Sequence, residues 1–304
     1  MELRDIEYFA AIAEHGHLGR AAEALGLGQP ALSISLRRLE QAAEAKLVKR
    51  TAKGVELTAV GAALLSHVRR LQLARGDLAR EVADLAHGRT GHVRIGSSPA
   101  NEHTLLPEVC SALLRETPKV TLSVAILDNE SLLPAVRKGD VDLVVAHVPV
   151  HPHSDLTQET IGQDEFVVYC AANHRLAKRK KVTLADLAGE RWVSTPASAT
   201  TSWLSLQRTF QERGLAPPVF SLVSDSVALR HRAVASSDLV GIASRRGVQA
   251  TARHIALSIL RVTDLEWLRP VAVVYRKDAY LSPAARRFIE ILKATAKDIA
   301  AEKR

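Results

Sequence analysis

Cysteine is almost missing from this chain. Among its 304 residues only Cys110 and Cys170 occur, and they lie 60 positions apart. Two such thiols supply neither a disulfide framework nor a CxxC metal site. We interpret them as buried apolar thiols of a protein that works in a reducing compartment.

Long apolar runs are missing as well. No window approaches the uncharged apolar stretch of about 20 residues that a membrane helix needs. The N-terminal residues lack the basic start and uninterrupted apolar core of a signal peptide. We therefore expect a cytoplasmic protein that has no membrane partner.

The short sequence motifs that mark several common types of enzyme active site do not occur either. The sequence contains no G-x-S-x-G elbow, P-loop, dinucleotide fingerprint or HExxH motif. His147, His151 and His153 offer an alternative, a metal site, but the missing Cys ligand and a proline in the loop favour a solvated turn. We expect no enzyme, no metal and no cofactor.

The chain does have enough apolar and basic residues for a multidomain protein with an anionic partner. Hydrophobic residues make up 47% and charged residues 24%, and the length favours two or more domains. The formal net charge is +8. Residues 20–53 carry seven basic and three acidic residues, a net of +4, whereas residues 1–87 as a whole carry only +1. Positive charge is therefore focused within the N-terminal region.

Three short helices and a hairpin are predicted near the N-terminus. Helical spacing of apolar residues from Leu3 predicts a first helix that ends near Gly16, and a second runs from about residue 18 to 25. After a glycine-bearing break, a third begins near Gln29 with Pro30 in its first turn. This is the spacing of a helix-turn-helix, whose second helix lies in the major groove. Residues 46–58 predict a β-hairpin, the wing, while a small helical bundle without DNA is the alternative that the pattern leaves open.

The stretches RAAEALGLGQPALSISLRRLEQ and LVKRTAKGVELTAVGAALL resemble the signature of the LysR-type transcriptional regulators. The match covers about the first 65 residues almost without gaps. The pair Ile34 and Ser35 departs from it, because the family commonly has Arg and Gln there. The resemblance implies that Gln29, Pro30 and Ser33 meet base edges. It implies phosphate contacts for four basic residues: Arg37, Arg38, Arg50 and Lys53.

A long helix is predicted from Thr58, its N-cap, to about Ala86. Its apolar residues alternate by four and three, with Arg75 as a polar interruption: Leu64, Val68, Leu71, Leu78, Val82 and Leu85. Such a heptad seam is typical of a dimerisation helix. A DNA-binding dimer needs paired recognition helices about one turn of duplex apart, which favours this interpretation over a helix packed on its own domain.

From His92 onward, short β-type runs alternate with helical runs, which predicts parallel sheets with helices on both faces. The segments HVRIGSS, LLPAVRKGDVDLVVA and TLADLAGERWV resemble the LysR effector domain, which is similar to type 2 periplasmic binding proteins. The predicted fold is α/β overall, with an all-α winged helix-turn-helix, a long linker helix and a two-subdomain effector domain. The predicted bounds are 1–58 for the DNA-binding domain, 59–88 for the linker/dimerisation helix, 89–161 with 267–304 for subdomain I, and 162–266 for subdomain II.

Candidate effector-binding residues lie where strands end, in two serine- and threonine-rich loops at matching places of the two subdomains and beside them. They are Ser97, Ser98, Asn101, His147, Val148, Thr195, Ser198, Thr200 and Ser226. Helix capping is the alternative for each of them. Residues 88–304 carry twenty-nine basic and twenty-two acidic residues, a net of +7, so a carboxylate or sulfonate effector is expected.

These features together predict a sequence-specific regulator of double-stranded promoter DNA, controlled by a small molecule between two subdomains. We expect a homodimer that pairs into a homotetramer, bends promoter DNA and thereby alters the access of RNA polymerase. A solute-binding protein without a regulatory function is the remaining alternative.

Overall fold

The computed structural model describes residues 2–52, 54–87, 91–102, 104–147, 153–196, 201–263 and 265–301. The chain divides into two compact units, Met1–Arg80 and Glu81–Arg304.

The first unit contains the predicted helix-turn-helix and wing. Its elements are α1 (Leu3–His15), α2 (Leu18–Ala24), α3 (Gln29–Ala42), β1 (Val48–Thr51), β2 (Gly54–Leu57) and the start of α4 (Ala59–His87). α1 ends where predicted, because Gly16 takes the left-handed conformation (φ +60°) that glycine adopts without strain. One face of each helix packs into a common core, whose buried members include Phe9, Ile12, Leu18, Ala21, Leu32, Leu36, Leu39, Leu47 and Val68.

Two glycines fix the wing against α1. β1 and β2 pair antiparallel from Val48–Leu57 to Thr51–Gly54, so the predicted hairpin is present. The amide of Val55 donates to the Gly16 carbonyl at 2.8 Å. A Cβ on Gly54, whose φ is +130°, would lie 2.2 Å from that same oxygen, so the contact requires glycine.

Thr58 caps the long helix α4, as predicted. Its Oγ1 accepts from the Gly61 amide at 3.0 Å and donates to the Lys46 carbonyl at 2.7 Å. The cap therefore joins the end of the wing to the first turn of α4.

The second unit alternates strands and helices. Its first half contains β3 (His92–Ser97), α5 (Pro99–Glu102), α6 (Leu105–Glu116), β4 (Thr121–Ile126), α7 (Asn129–Lys138) and β5 (Leu143–Ala146). The middle contains β6 (Leu156–Ala171), α8 (Leu184–Leu187), β7 (Arg191–Ser194), α9 (Thr201–Glu212) and β8 (Val219–Val223). The last part contains α10 (Val227–Ala235), β9 (Val240–Ser244), α11 (Arg245–Ala252), β10 (Leu257–Ile259), β11 (Leu268–Arg276) and α12 (Pro283–Ala301).

The sheet of this unit is mixed, whereas the sequence predicted parallel sheets. Its order is β4-β3-β5-β11-β6-β9-β7-β8, and β10 pairs with β6 outside that path. β3 is parallel to β4 and β5, and β7 is parallel to β8 and β9. β6 and β11 run antiparallel to each other over nine register pairs. They do so because β6 carries the chain from the first half of the sheet into the second and β11 carries it back.

Each half of the sheet is covered on both faces, as predicted for an α/β fold. β5 shows the alternation: Leu143 and Val145 join the core under α6 and α12, while Val144 and Ala146 join the core under α7. In the other half, β6 sends Cys170 toward the cluster of Trp192 and Phe210, and Tyr169 toward the opposite face. Because helices cover both faces of such a sheet, a ligand can reach it only near the ends of its strands.

Candidate DNA interface and effector site

The exposed face of α3 carries the residues predicted to meet DNA bases. Gln29 and Pro30 are exposed in its first turn, Ser33 is half-buried, and Arg37 is exposed two turns on. The opposite face, with Leu32, lies in the core. The fold therefore leaves Gln29, Pro30 and Arg37 exposed to solvent and Ser33 partly so.

Arg38 and Ser35 contact a buried carboxylate on α1. Ser35 Oγ donates to Asp5 Oδ1 at 2.6 Å, and Arg38 Nε donates to Oδ2 at 2.7 Å. A second Arg38 nitrogen, Nη2, donates to Oδ1. The Arg38 hydrogen bonds hold the pKa of Asp5 below its ordinary value despite burial. Asp5 and Ser35 thus fix α3 on α1, a role that sequence reasoning did not assign to them.

The wing presents basic side chains on β1. Lys49 and Arg50 are exposed there, and Lys53 lies outside the described residues. Lys46, before the wing, donates to Glu40 Oε2 at 2.7 Å, while the Leu47 amide donates to Oε1 at 3.0 Å.

The apolar seam of α4 divides into two parts. Val68 is buried and Leu64 partly buried, and both pack on the core of the first unit. Arg75, at the polar interruption, pairs with Glu7 of α1. Beyond Val68 the seam is exposed, by 46% to 78% of each side chain: Leu71, Leu78, Val82 and Leu85.

Three of the predicted effector residues line one cavity in the second unit. Ser98, His147 and Thr195 line it, and the space between its lining atoms, counted together with the open mouth, is about 770 Å³. The other lining residues are Pro99, Ala100, Phe166, Ser194, Val227, Arg230, His231, Ile242, Ala243, Ser244, Gly247 and Arg269.

Three further predicted effector residues are described and do not line this cavity. Ser97 Oγ and Asn101 Nδ2 both donate to the Val145 carbonyl, at 2.9 Å and 3.1 Å, and so join β3, α5 and β5. Ser226 caps α10, where its Oγ accepts from the Leu229 amide at 3.2 Å. Three predicted residues lie outside the described part of the chain: Val148, Ser198 and Thr200.

His147 connects Ser98 to a buried carboxylate. Its Nε2 lies 3.1 Å from Asp164 Oδ2, and its Nδ1 lies 3.4 Å from Ser98 Oγ. Burial is the largest influence and works against ionisation of Asp164, but hydrogen bonds from His147 and Ser244 and electrostatic interactions with His147 and Arg246 together outweigh it and lower the pKa of this carboxyl. His147 is thereby held in a fixed orientation beside the cavity.

Two arginines in the cavity wall were not predicted from the sequence. Arg230 is only 7% exposed and donates from Nη1 to the Ser224 carbonyl. Arg269 lies over Phe166, with its guanidinium carbon 5.0 Å from the ring centroid, and 5.3 Å from that of Trp267. Burial lowers the pKa of both guanidinium groups.

Neither Arg230 nor Arg269 has a carboxylate within 4.0 Å among the described residues, in contrast to Arg245, which pairs with Glu165 at 2.6 Å. The sequence signal for Arg230 is weak, because His231 and Arg232 follow it directly in the segment SVALRHRAVAS and nothing in that segment singles it out. Asp225 interacts with Arg230 electrostatically without forming an ion pair at that distance, so two arginines with no directly paired carboxylate line the cavity.

In the described ranges, no three His, Cys, Asp or Glu side chains gather as a metal ion would require. His153, one of the three histidines considered for a metal, has its Nδ1 3.2 Å from Arg137. No helix of the described chain has the length and apolarity that crossing a membrane takes.

Family models match both units. Residues 3–62 match the bacterial regulatory helix-turn-helix protein of the lysR family, and residues 86–297 match the LysR substrate binding domain. The chain belongs to the LysR family of transcriptional regulators, proteins that bind DNA and carry a substrate-binding domain.

Individual relatives agree with this assignment. The HTH-type transcriptional regulator ShiR of Corynebacterium glutamicum (strain R) is 36% identical over 231 residues, 74% of this chain and 77% of the relative. The SDS degradation transcriptional activation protein of Pseudomonas sp. (strain ATCC 19151) is 31% identical over 291 residues, 93% of each. Because the relatives are named as regulators of transcription, the expectation of a regulator, and not of an enzyme, is confirmed.

Solved structures show the same fold. The crystal structure of CbnR, a LysR family transcriptional regulator, has a TM-score of 0.65 at 22% identity over 98% of this chain and 100% of that chain. Full-length CbnR in complex with its target DNA gives the same score over 97% of this chain. The predicted architecture is therefore confirmed along the chain.

Proposed function

We propose that this regulator reads promoter DNA with α3 and responds to a small anion bound in the cavity of its second unit. The observation that carries the proposal is the pair Arg230 and Arg269, which line one cavity and have no carboxylate within 4.0 Å in the described chain. We further propose the domain bounds 1–58, 59–88, 89–161 with 267–304, and 162–266.

On the DNA side, the proposal assigns base contacts to Gln29, Pro30 and Ser33, because these residues lie on the face of α3 that faces away from the core. A glutamine amide can bond adenine in two places, and the proline ring can contact a thymine methyl. Arg37 and Arg50 are exposed and suit phosphates. Lys53 is proposed as a further phosphate contact on sequence grounds alone, and Arg38 contributes by holding α3 on Asp5.

The charge of the effector follows from the cost of burying arginine. Taking a guanidinium out of water without a partner costs several kcal/mol, so an anion that pairs with it is stabilised in the cavity. Carboxylates and sulfonates match the planar guanidinium through paired hydrogen bonds. Ser98 and Thr195 line the same cavity and offer hydroxyls to such a group.

The oligomeric state follows from apolar surface left uncovered in a single chain. The exposed part of the α4 seam, from Leu71 to Leu85, supports a homodimer through this helix. The two edge strands of the sheet, β4 and β8, also carry exposed apolar side chains, among them Val124 and Val219. We propose that such edges pair between dimers and so form a homotetramer. This tetramer acts on promoter DNA in the cytoplasm and controls the access of RNA polymerase.

A gel-shift experiment tests this function. The full chain is mixed with the DNA upstream of its own gene and, separately, with an unrelated duplex of equal length. We expect retention of the upstream DNA alone and a 5- to 100-fold weaker affinity for the variant Gln29→Ala/Ser33→Ala, since base contacts are worth about 1–3 kcal/mol.

The matched control is Gln41→Ala, which removes an exposed amide from the C-terminal turn of the same helix. Its affinity should equal that of the unsubstituted chain. Equal, salt-sensitive retention of both duplexes would mean that the protein binds only the DNA backbone and would contradict the proposal.

A further inference from the structure

Among the described residues of α1 to β2, the most exposed large apolar side chain lies on α3. Ile34 is 60% exposed, although the next residue, Ser35, is buried against Asp5. Isoleucine is a weaker helix former than the residues usually found on exposed helix surfaces. It is not among the residues that pack around the core of its unit. Neither helix propensity nor packing therefore accounts for an isoleucine at this position.

Ile34 continues the face proposed to contact bases. Residues three and four apart on a helix are neighbours, so Pro30, Ala31 and Ile34 form one exposed apolar strip, with Gln29 at its start. The hydrogen bonds of Asp5 with Ser35 and Arg38 fix the rotation of α3 about its axis and keep this strip outward.

We propose that Ile34 is a specificity-determining residue that contacts the C5-methyl group of a thymine in the major groove. The proposal rests on the proposed function, in which α3 enters that groove. An isoleucine side chain neither donates nor accepts hydrogen bonds, and the thymine methyl is the one apolar group that a base presents there. Pro30 and Ala31 extend the apolar surface along the helix by one turn.

Replacement of thymine by deoxyuridine tests the proposal, because it removes the methyl group and leaves base pairing intact. In the shortest upstream duplex that the full chain retains, each thymine is exchanged in turn and the affinity is measured by fluorescence anisotropy. At one thymine of each half-site the exchange should weaken binding about fourfold, which corresponds to the ~0.8 kcal/mol gained by burying one methyl group.

The variant Ile34→Ala should bind the thymine duplex more weakly and should no longer distinguish thymine from deoxyuridine at that position. Val60→Ala, which shortens an exposed apolar side chain of α4, is the matched control and should keep the distinction. Thermal unfolding of Ile34→Ala should match that of the unsubstituted chain, because the side chain is exposed and alanine favours helix.

Two results would overturn the proposal while the proposed function stands: Ile34→Ala keeps the full sensitivity to deoxyuridine, or no single exchange matters to the unsubstituted chain. If the unsubstituted chain retains no upstream duplex in preference to an unrelated one, the proposed function fails first and this inference with it.

Discussion

The carboxylate of Asp5 joins α1 to the recognition helix. It is 1% exposed and accepts hydrogen bonds from Ser35 and Arg38. Because these bonds favour the ionised form, the pKa of Asp5 lies below its ordinary value. The carboxylate therefore contributes stability fully above the pKa of the unfolded chain, about 4, and the contribution is lost as the pH falls through the lower folded value.

We expect Asp5→Asn to lower the free energy of unfolding by about 1–3 kcal/mol at pH 7, since it removes a buried charge-assisted partner of Arg38. The variant should also lose part of the decline in stability that occurs as the pH falls below about 4. Thermal denaturation of the full chain across this pH range measures both effects. Glu23→Gln, at an exposed acidic residue of α2, is the control, and equal stability of Asp5→Asn and this control at pH 7 would refute the role of Asp5.

Residue roles were predictable where the local pattern determines them. Gln29 and Pro30 follow from their place in the first turn of a helix after a glycine break, and Thr58 from its place before a long helix. Arg38 could not be assigned in this way, because its partner is 33 positions away in the chain. Arg230 donates to the nearby Ser224 carbonyl, but its burial depends on the packing of α10 against β6 and β9, which the neighbouring sequence does not reveal.

At the scale of elements, α4 has an exposed apolar seam that a single chain does not cover. We expect Leu78→Glu to shift the protein from dimers toward monomers, because a charge would replace an apolar contact at the centre of the seam. Sedimentation velocity of the full chain at micromolar concentration measures the change. Leu114→Glu, which alters an exposed leucine of α6, is the control, and an unchanged sedimentation coefficient for Leu78→Glu would exclude the seam from the dimer contact.

The first half of the β6 strand was not predicted from the sequence. The sequence predicts a strand for the apolar run EFVVYCAA, which begins at Glu165, whereas β6 begins at Leu156. Its first half, LTQETIGQD, is mostly polar, and the residues between Leu156 and Asp164 are partly buried or exposed. No apolar signal therefore marks it, although it pairs with β11 along its length. The same pairing makes the sheet mixed, since strand direction depends on the path of the chain through both halves.

At the scale of the whole molecule, positive charge has two locations with different partners. The exposed arginines of α3 and β1 suit the phosphates of DNA. Arg230 and Arg269 line the cavity of the second unit, which we propose to hold a small anion. A regulator of this kind needs the effector to change the affinity for DNA, which requires that the anion bind the two states of the protein differently.

The central claim is this coupling, and one measurement tests it most directly. Carboxylates and sulfonates that raise the thermal unfolding temperature are first selected from a panel. The affinity of the full chain for a labelled upstream duplex is then measured by fluorescence anisotropy with and without each selected anion. The same titrations are made with Arg230→Met and with the control Arg213→Met, which removes an exposed arginine outside the cavity.

We expect an anion to change the DNA affinity of the unsubstituted chain and of the control by about fivefold or more. Arg230→Met should still bind the duplex but should no longer respond to the anion. A DNA affinity that stays the same with every anion that stabilises the protein, or an equal response of Arg230→Met, would contradict the account.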